Sequence, residues 1–178
     1  MSALPERPIS ILIAALGGEG GGVLADWLVD TAAAAGYPVQ ATSIPGVSQR
    51  TGATTYYVEI FPATEAELSG RQPVMALVPS PGNIDLMVAS ELIEAGRAIQ
   101  NGYVSPDRTT LIASTHRVYA TGEKLPLGDG RYDVETVAGA ARQLAKRAIL
   151  FDMARLARDS DSVINSVVGA FVIMSLTN

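Results

Sequence analysis

The sequence predicts an α/β domain of the doubly wound class, a mainly parallel sheet with helices on both faces. Three observations lead there. Short apolar runs alternate with stretches of helical periodicity. The first run, Ile9–Leu16 (ISILIAAL), is apolar without alternation, as in a strand buried on both faces. A glycine cluster, Gly17–Gly22 with Glu19 inside it, then separates this strand from a helix.

The first helix is set by Val23, Leu24, Trp27, Leu28 and Thr31, and Gly36 stops it. Tyr37–Ile44 gives a second strand, so residues 9–44 read strand, turn, helix, strand, with the two strands as a parallel pair. Pro45–Gly52 (PGVSQRTG) is a polar loop, and Ala53–Phe61 (ATTYYVEIF) is a third strand rich in β-branched and aromatic residues. Pro62–Pro73 reads as surface loop and Val74–Val78 as a short edge strand. Ile84–Val88 is a strand, Ser90 caps a helix from Glu91 to Gln100, and Asn101-Gly102 is a turn. Strand Thr109–Ala113, an irregular stretch to Asp133, helix Val134–Lys146, strand Ala148–Met153 and helix Ser162–Met174 complete the pattern. The chain ends just after that apolar helix. Residues 1–178 are therefore expected to be a single domain forming the N-terminal part of a longer protein.

Composition narrows the function. The 178 residues are 48% hydrophobic and 17% charged, so a patch for a partner is expected on the surface. A net charge of −5 without a basic block argues against nucleic acid. There is no cysteine, which removes disulfides, thiolate catalysis and iron–sulfur ligation by this chain. One histidine cannot build a multi-histidine metal site. No positive segment precedes an apolar run at the N-terminus, so no signal peptide is read. The longest apolar run, Val167–Leu176, is half of the roughly 20 residues that span a bilayer. A cytoplasmic location away from membranes is the expectation.

The glycine turn carries the chemistry. Gly17, Gly18, Gly20, Gly21 and Gly22 let backbone N–H groups approach a ligand, and the helix that follows adds free N–H groups and its positive dipole end. That combination suits a phosphate. It suits NAD poorly: starting at Gly18 the third fingerprint position falls on Val23, and starting at Gly20 the second is Gly22 and the third is Ala25, the tolerated small variant, but no Asp or Glu lies between Asp30 and Glu59 to hold a ribose. It does not suit ATP either, since the first lysine is Lys124. The competing explanation is that the glycines serve helix–sheet packing alone.

Two segments together become specific. GGEGGGVLADWLVDTAAAAGYPV followed by SIPGVSQRTGATTYYVEI resembles the gamma-type domain of 2-oxoacid:acceptor (ferredoxin) oxidoreductases. The pattern of that family is a G-x-G-G-Q-G-like turn, helix and strand, then a G-x-S-Q-R-x-G loop into the third strand. Here Glu19 stands where glutamine is usual, and Gly46, Ser48, Gln49, Arg50 and Gly52 are intact. The stretch GYVSPDRTTLIASTHRVYATGEK is similar to the beta subunit of indolepyruvate:ferredoxin oxidoreductase, in its longer form.

The resemblance implies a Rossmann-like domain within a multisubunit complex that turns an aryl 2-oxoacid into an acyl-CoA, CO2 and reduced ferredoxin or a similar acceptor. It implies that thiamine diphosphate with its magnesium, and the iron–sulfur clusters, sit on partner domains. This domain would pack against them and help bind coenzyme A, with no catalytic residue of its own. Gly17–Gly22, with Glu19 turned to solvent or paired with Arg50, would line the phosphates. Ser48, Gln49 and Arg50 would hold a phosphate or carboxylate, or dock on a partner. His116, with Thr115 and Arg117, would reach the same edge, although a structural histidine is the commoner case. The pairs Glu65/Glu67 and Glu91/Glu94 read as solvated carboxylates, and Trp27 as core or interface. Two rivals stand beside this reading: a docking module whose turn binds nothing, and a dinucleotide-binding dehydrogenase.

Overall fold

A computed structural model describes residues 5–44, 53–116 and 133–159. The elements run β1 (Ile9–Leu16), α1 (Gly21–Ala34), β2 (Val39–Ile44), β3 (Ala53–Ile60), α2 (Glu65–Leu68), β4 (Leu86–Ala89), α3 (Leu92–Gln100), β5 (Thr110–Ser114), α4 (Val134–Leu144), β6 (Arg147–Phe151) and α5 (Met153–Asp159). The six strands form one sheet in the order β2-β3-β1-β4-β5-β6.

The sheet is mixed. β1 pairs in parallel with β4, β4 with β5 and β5 with β6. β3 runs antiparallel to both β1 and β2. Five strands therefore point one way and β3 points the other. The expected β1–β2 parallel pair is corrected: the two strands do run in the same direction, but β3 lies between them. The eight-residue ladder from Ile9↔Ile60 to Leu16↔Ala53 is why. β3 pairs along the whole of β1 on one side and with β2 on the other.

The doubly buried reading of β1 holds. On one face Ile11 and Ile13 join Val58, Val88 and Ile112 in a core closed by Leu24 and Ala25 of α1 and Met153 of α5. On the other, Leu12 and Ala14 join Met87, Ala89, Leu111 and Ala113 beneath Ala95 and Ala98 of α3 and Ala141 of α4. Successive side chains of a strand point to opposite faces, so two cores follow from one apolar run. Burying a side chain such as Leu24 completely contributes about 1.5–3 kcal/mol.

Several expectations shift. The buried stripe of α1 runs through Leu24, Ala25 and Ala32, leaving Val23 and Trp27 exposed. Val74–Val78 is not a strand. It is an irregular strap over β2 and β3, whose carbonyls at Ala76 and Leu77 accept from the side chains of Gln40 and Thr42, both at 2.8 Å. Pro73 and Pro79 flank it and lack the N–H that a ladder needs. The expected 62–73 loop contains α2, started by a capping box between Thr64 and Glu67. Helix α5 was not anticipated, and the helix expected at Ser162–Met174 lies outside the described residues. Among the described residues no helix is long and apolar enough to cross a membrane.

Candidate functional site

Because β3 alone is reversed, β1, β2, β4, β5 and β6 all end at one edge of the sheet, and ligands of open α/β sheets gather outside such an edge. The nominated residues that are described fall there. The glycine turn follows β1, and Thr115 and His116 follow β5. Ser48, Gln49 and Arg50 lie outside the described residues. Their flanks are at this edge, since Ile44 pairs with Thr55.

The glycines divide by physical role. The Glu19 N–H donates to the Leu16 carbonyl at 3.1 Å and closes the turn. Gly18 (φ 84°) and Gly20 (φ 79°) are left-handed, a conformation costly to any residue with a Cβ. Gly20 is the N-cap of α1. It brings no side chain to cap the helix, and the first turn carries no acid. The first-turn N–H groups are therefore presented outward with the dipole. Gly21 answers to packing: a Cβ there would sit 2.5 Å from the Ala15 Cβ and 3.0 Å from the Tyr56 ring. At Gly22 it would lie 3.2 Å from the Tyr56 hydroxyl oxygen. Gly17 is exposed, with nothing within 4 Å of a built Cβ.

Glu19 turns across the sheet edge. Its carboxylate accepts from the Ser90 hydroxyl and, at 3.3 Å, from the Leu16 N–H, which Ser90 Oγ also accepts at 3.2 Å. Glu19 thereby latches the glycine turn to Ser90 just before α3, while its expected pairing with Arg50 falls on a residue outside the described ones. Ser90 is accordingly not the helix cap. Glu91 is, with its carboxylate accepting the Ile93 N–H at 2.7 Å.

Glu91 and Glu94 are buried, which corrects their expected solvation. Glu94 pairs with Arg97 at 2.5 Å. Burial pushes the Glu94 carboxyl above its ordinary range. Arg97 opposes that shift, and the charges of Glu91 and Glu19 add to it. A three-residue spacing of acids looks like a solvated helix face in sequence. Here that face is turned toward the sheet edge instead.

His116 is half-buried and joined to the framework by its backbone. Its N–H donates to Ser114 Oγ at 3.2 Å and its carbonyl accepts from Leu92 N–H at 3.4 Å. Ser114 is fully buried, and it also accepts the Met153 N–H at 3.2 Å. Ser90, Glu91 and Ser114 are the residues that sequence reasoning missed as organisers of this edge. Their one signal is a polar residue directly after a short apolar strand.

A Rossmann-like α/β sheet with its polar groups and an open helix start gathered at one edge is the class of domain defined here. The sequence profile of the family described as Pyruvate ferredoxin/flavodoxin oxidoreductase matches residues 10–178. The chain belongs to this family, and with that to the subunits of oxidoreductases acting on an oxo group. No curated protein sequence matches it.

Among solved structures, the chain is similar to the pyruvate oxidoreductase subunit PORC of Thermotoga maritima, with TM-score 0.56 and 21% identity over 94% of this chain and 76% of that one. It is also similar to the gamma subunit of keto/oxoacid ferredoxin oxidoreductase from Geobacter sulfurreducens PCA, with TM-score 0.50 and 17% identity over 90% and 70%. A third likeness is to 2-oxoglutarate:ferredoxin oxidoreductase from Magnetococcus marinus, a structure holding 2-oxoglutarate, coenzyme A and succinyl-CoA. There the TM-score is 0.53 and identity 15% over 90% of this chain, which spans 22% of that chain. At such identities the likeness is one of fold.

Proposed function

We propose that this chain is the gamma-type part of a complex that oxidatively decarboxylates an aryl 2-oxoacid such as indolepyruvate. The complex yields an acyl-CoA and passes electrons to ferredoxin or a similar acceptor. The family match over residues 10–178 carries this reading. In it, thiamine diphosphate with magnesium, and the iron–sulfur clusters, belong to partner domains, because this chain has no cysteine to hold a cluster. The aryl preference rests on the likeness of the stretch from Gly102 to Lys124 to the indolepyruvate branch.

This chain's own contribution is to bind and orient coenzyme A. The groups available fit a diphosphate: left-handed Gly18 and Gly20, an α1 start with no side-chain cap or first-turn acid, and a Glu19 carboxylate drawn to Ser90. Ser48, Gln49, Arg50 and His116 are assigned to the same ligand or to the partner beside it. Coenzyme A would supply the thiol that takes up the acyl group, while this domain holds its phosphates.

The test is dye reduction by the complex purified through this chain, with indolepyruvate or phenylpyruvate, with and without coenzyme A. Activity requiring both supports the reading, and absence of any oxoacid-dependent activity refutes it. Gly17→Asp then probes the turn, because position 17 has space for a side chain. The expected result is a raised KM for coenzyme A with melting unchanged. An unchanged KM would favour the second reading, a docking module. That reading draws on Gly21, which packing against Ala15 explains without any ligand.

A further inference from the structure

Helices α3 and α4 cover the β4–β6 half of one sheet face, and the strap through Ala76 and Leu77 covers part of β2 and β3. Between them a cleft of about 120 Å³ remains. Leu12 and Ala14 floor it, Ile44 and Pro79 wall one side, and the Glu94–Arg97 pair closes the other. It lies at the end of β2 from which the 45–52 loop departs, and Glu94 is near enough to Glu19 of the glycine turn to feel its charge.

The polar end of this cleft is specific in what it offers. Glu94 is 5% exposed, and one of its oxygens is held by Arg97 Nη1. Among the described residues its second oxygen accepts nothing, and the remaining guanidinium N–H groups of Arg97 donate to nothing. An acceptor and a donor therefore stand side by side in a cleft that Leu12, Ala14, Ile44 and Met87 line together with Thr55, Asn101 and Tyr103. A charged group entering the cleft would lose its hydration against Leu12, Ala14 and Ile44. A hydroxyl both donates and accepts at one atom, so it satisfies both partners and stays neutral. The cleft has room for a short branched alkyl segment.

We propose that this cleft binds a hydroxyl-bearing branched alkyl segment, with Glu94 accepting from the hydroxyl and Arg97 donating to it. The inference rests on the coenzyme A reading, in which that segment is the pantoyl group attached directly to the diphosphate. A diphosphate at the glycine turn places the pantoyl group at the same sheet edge, and its two methyl groups match the apolar walls. Glu94 and Arg97 are thus ligand-selecting residues on α3, separate from the phosphate-binding turn.

The experiment uses the purified complex and two probes: coenzyme A, and its adenine half, adenosine 3′-phosphate 5′-diphosphate, which lacks the pantoyl group. Arg97→Met and Glu94→Leu are each expected to weaken coenzyme A binding about tenfold, the ordinary consequence of losing one hydrogen bond to a charged group. Inhibition by the adenine half stays at its wild-type value. Glu94→Gln, which keeps an acceptor oxygen, restores most of the affinity. Unchanged coenzyme A binding in both variants would overturn the proposal, as would an equal loss for the two probes. A wild-type complex that binds neither probe would instead defeat the parent reading, and the cleft assignment with it.

Discussion

Gly21→Ala separates packing from binding in the glycine turn, and its outcome can be worked from the contacts. Ordinary carbon–carbon contact is about 3.5–4.0 Å. The new Cβ would meet the Ala15 Cβ at 2.5 Å, with the Tyr56 ring at 3.0 Å behind it. Neither neighbour is a flexible chain end, so the first turn of α1 must lift by about 1 Å to restore that contact. Overpacking of this kind costs about 1–3 kcal/mol. Alanine recovers up to about 1 kcal/mol as a better helix former than glycine, less at a helix start. The net expectation is a loss of about 1–2 kcal/mol, which lowers Tm by about 2–8 °C for a chain of this size. Thermal and urea unfolding of the full chain measure it. Gly17→Ala is the reference and should stay within about 0.5 kcal/mol of wild type. In Ala15→Gly/Gly21→Ala the nearest obstacle is gone, so the two substitutions should couple favourably. Gly21→Ala melting at or above wild type would refute the reasoning, because it would mean that α1 does not approach the sheet this closely.

Two further outcomes follow from side-chain geometry. Glu19→Ala removes the acceptor for the buried Ser90 hydroxyl and should cost about 1–2 kcal/mol in melting experiments, whereas Glu19→Gln keeps an acceptor and should cost much less. At the opposite edge, burial pushes the Asp85 carboxyl up. The two Arg7 bonds (2.8 and 2.5 Å) and the Ser10 N–H and hydroxyl more than offset this, and hold it below its ordinary range. Its charged form is favoured by folding, so that stability is full above the unfolded value of about 3.9 and drains away as pH falls below it. Arg7 is nearly half exposed and water screens the pair, so Asp85→Asn should cost about 1 kcal/mol at neutral pH and flatten the acid limb of a stability profile.

Much of this was legible in the sequence, for identifiable reasons. A run such as ISILIAAL leaves no polar face, so it must be buried on both sides, and the two cores around Ile11/Ile13 and Leu12/Ala14 bear that out. Gly36 ended α1 because a left-handed residue was needed there, at φ 79°. The glycine turn was visible as a turn. That Gly21 serves packing while Gly17 touches nothing was not visible, since both are the same letter in the same cluster. Glu91 and Glu94 were misread because burial of a carboxylate depends on what lies opposite it. Here one carboxylate caps α3 and the other meets Arg97.

By itself the sequence determined the alternation of strands and helices, the central place of β1, and the glycine turn that opens α1. These are local matters of periodicity, backbone freedom and solvation, decided within a few residues of chain. The tertiary structure alone decided that β3 enters between β1 and β2, that Glu19 reaches Ser90, and that a cleft remains between the strap and α3. Each of these joins segments far apart in the chain. Each depends on which of several acceptable strand pairings buries the most surface while satisfying every backbone group, a comparison made over the whole sheet.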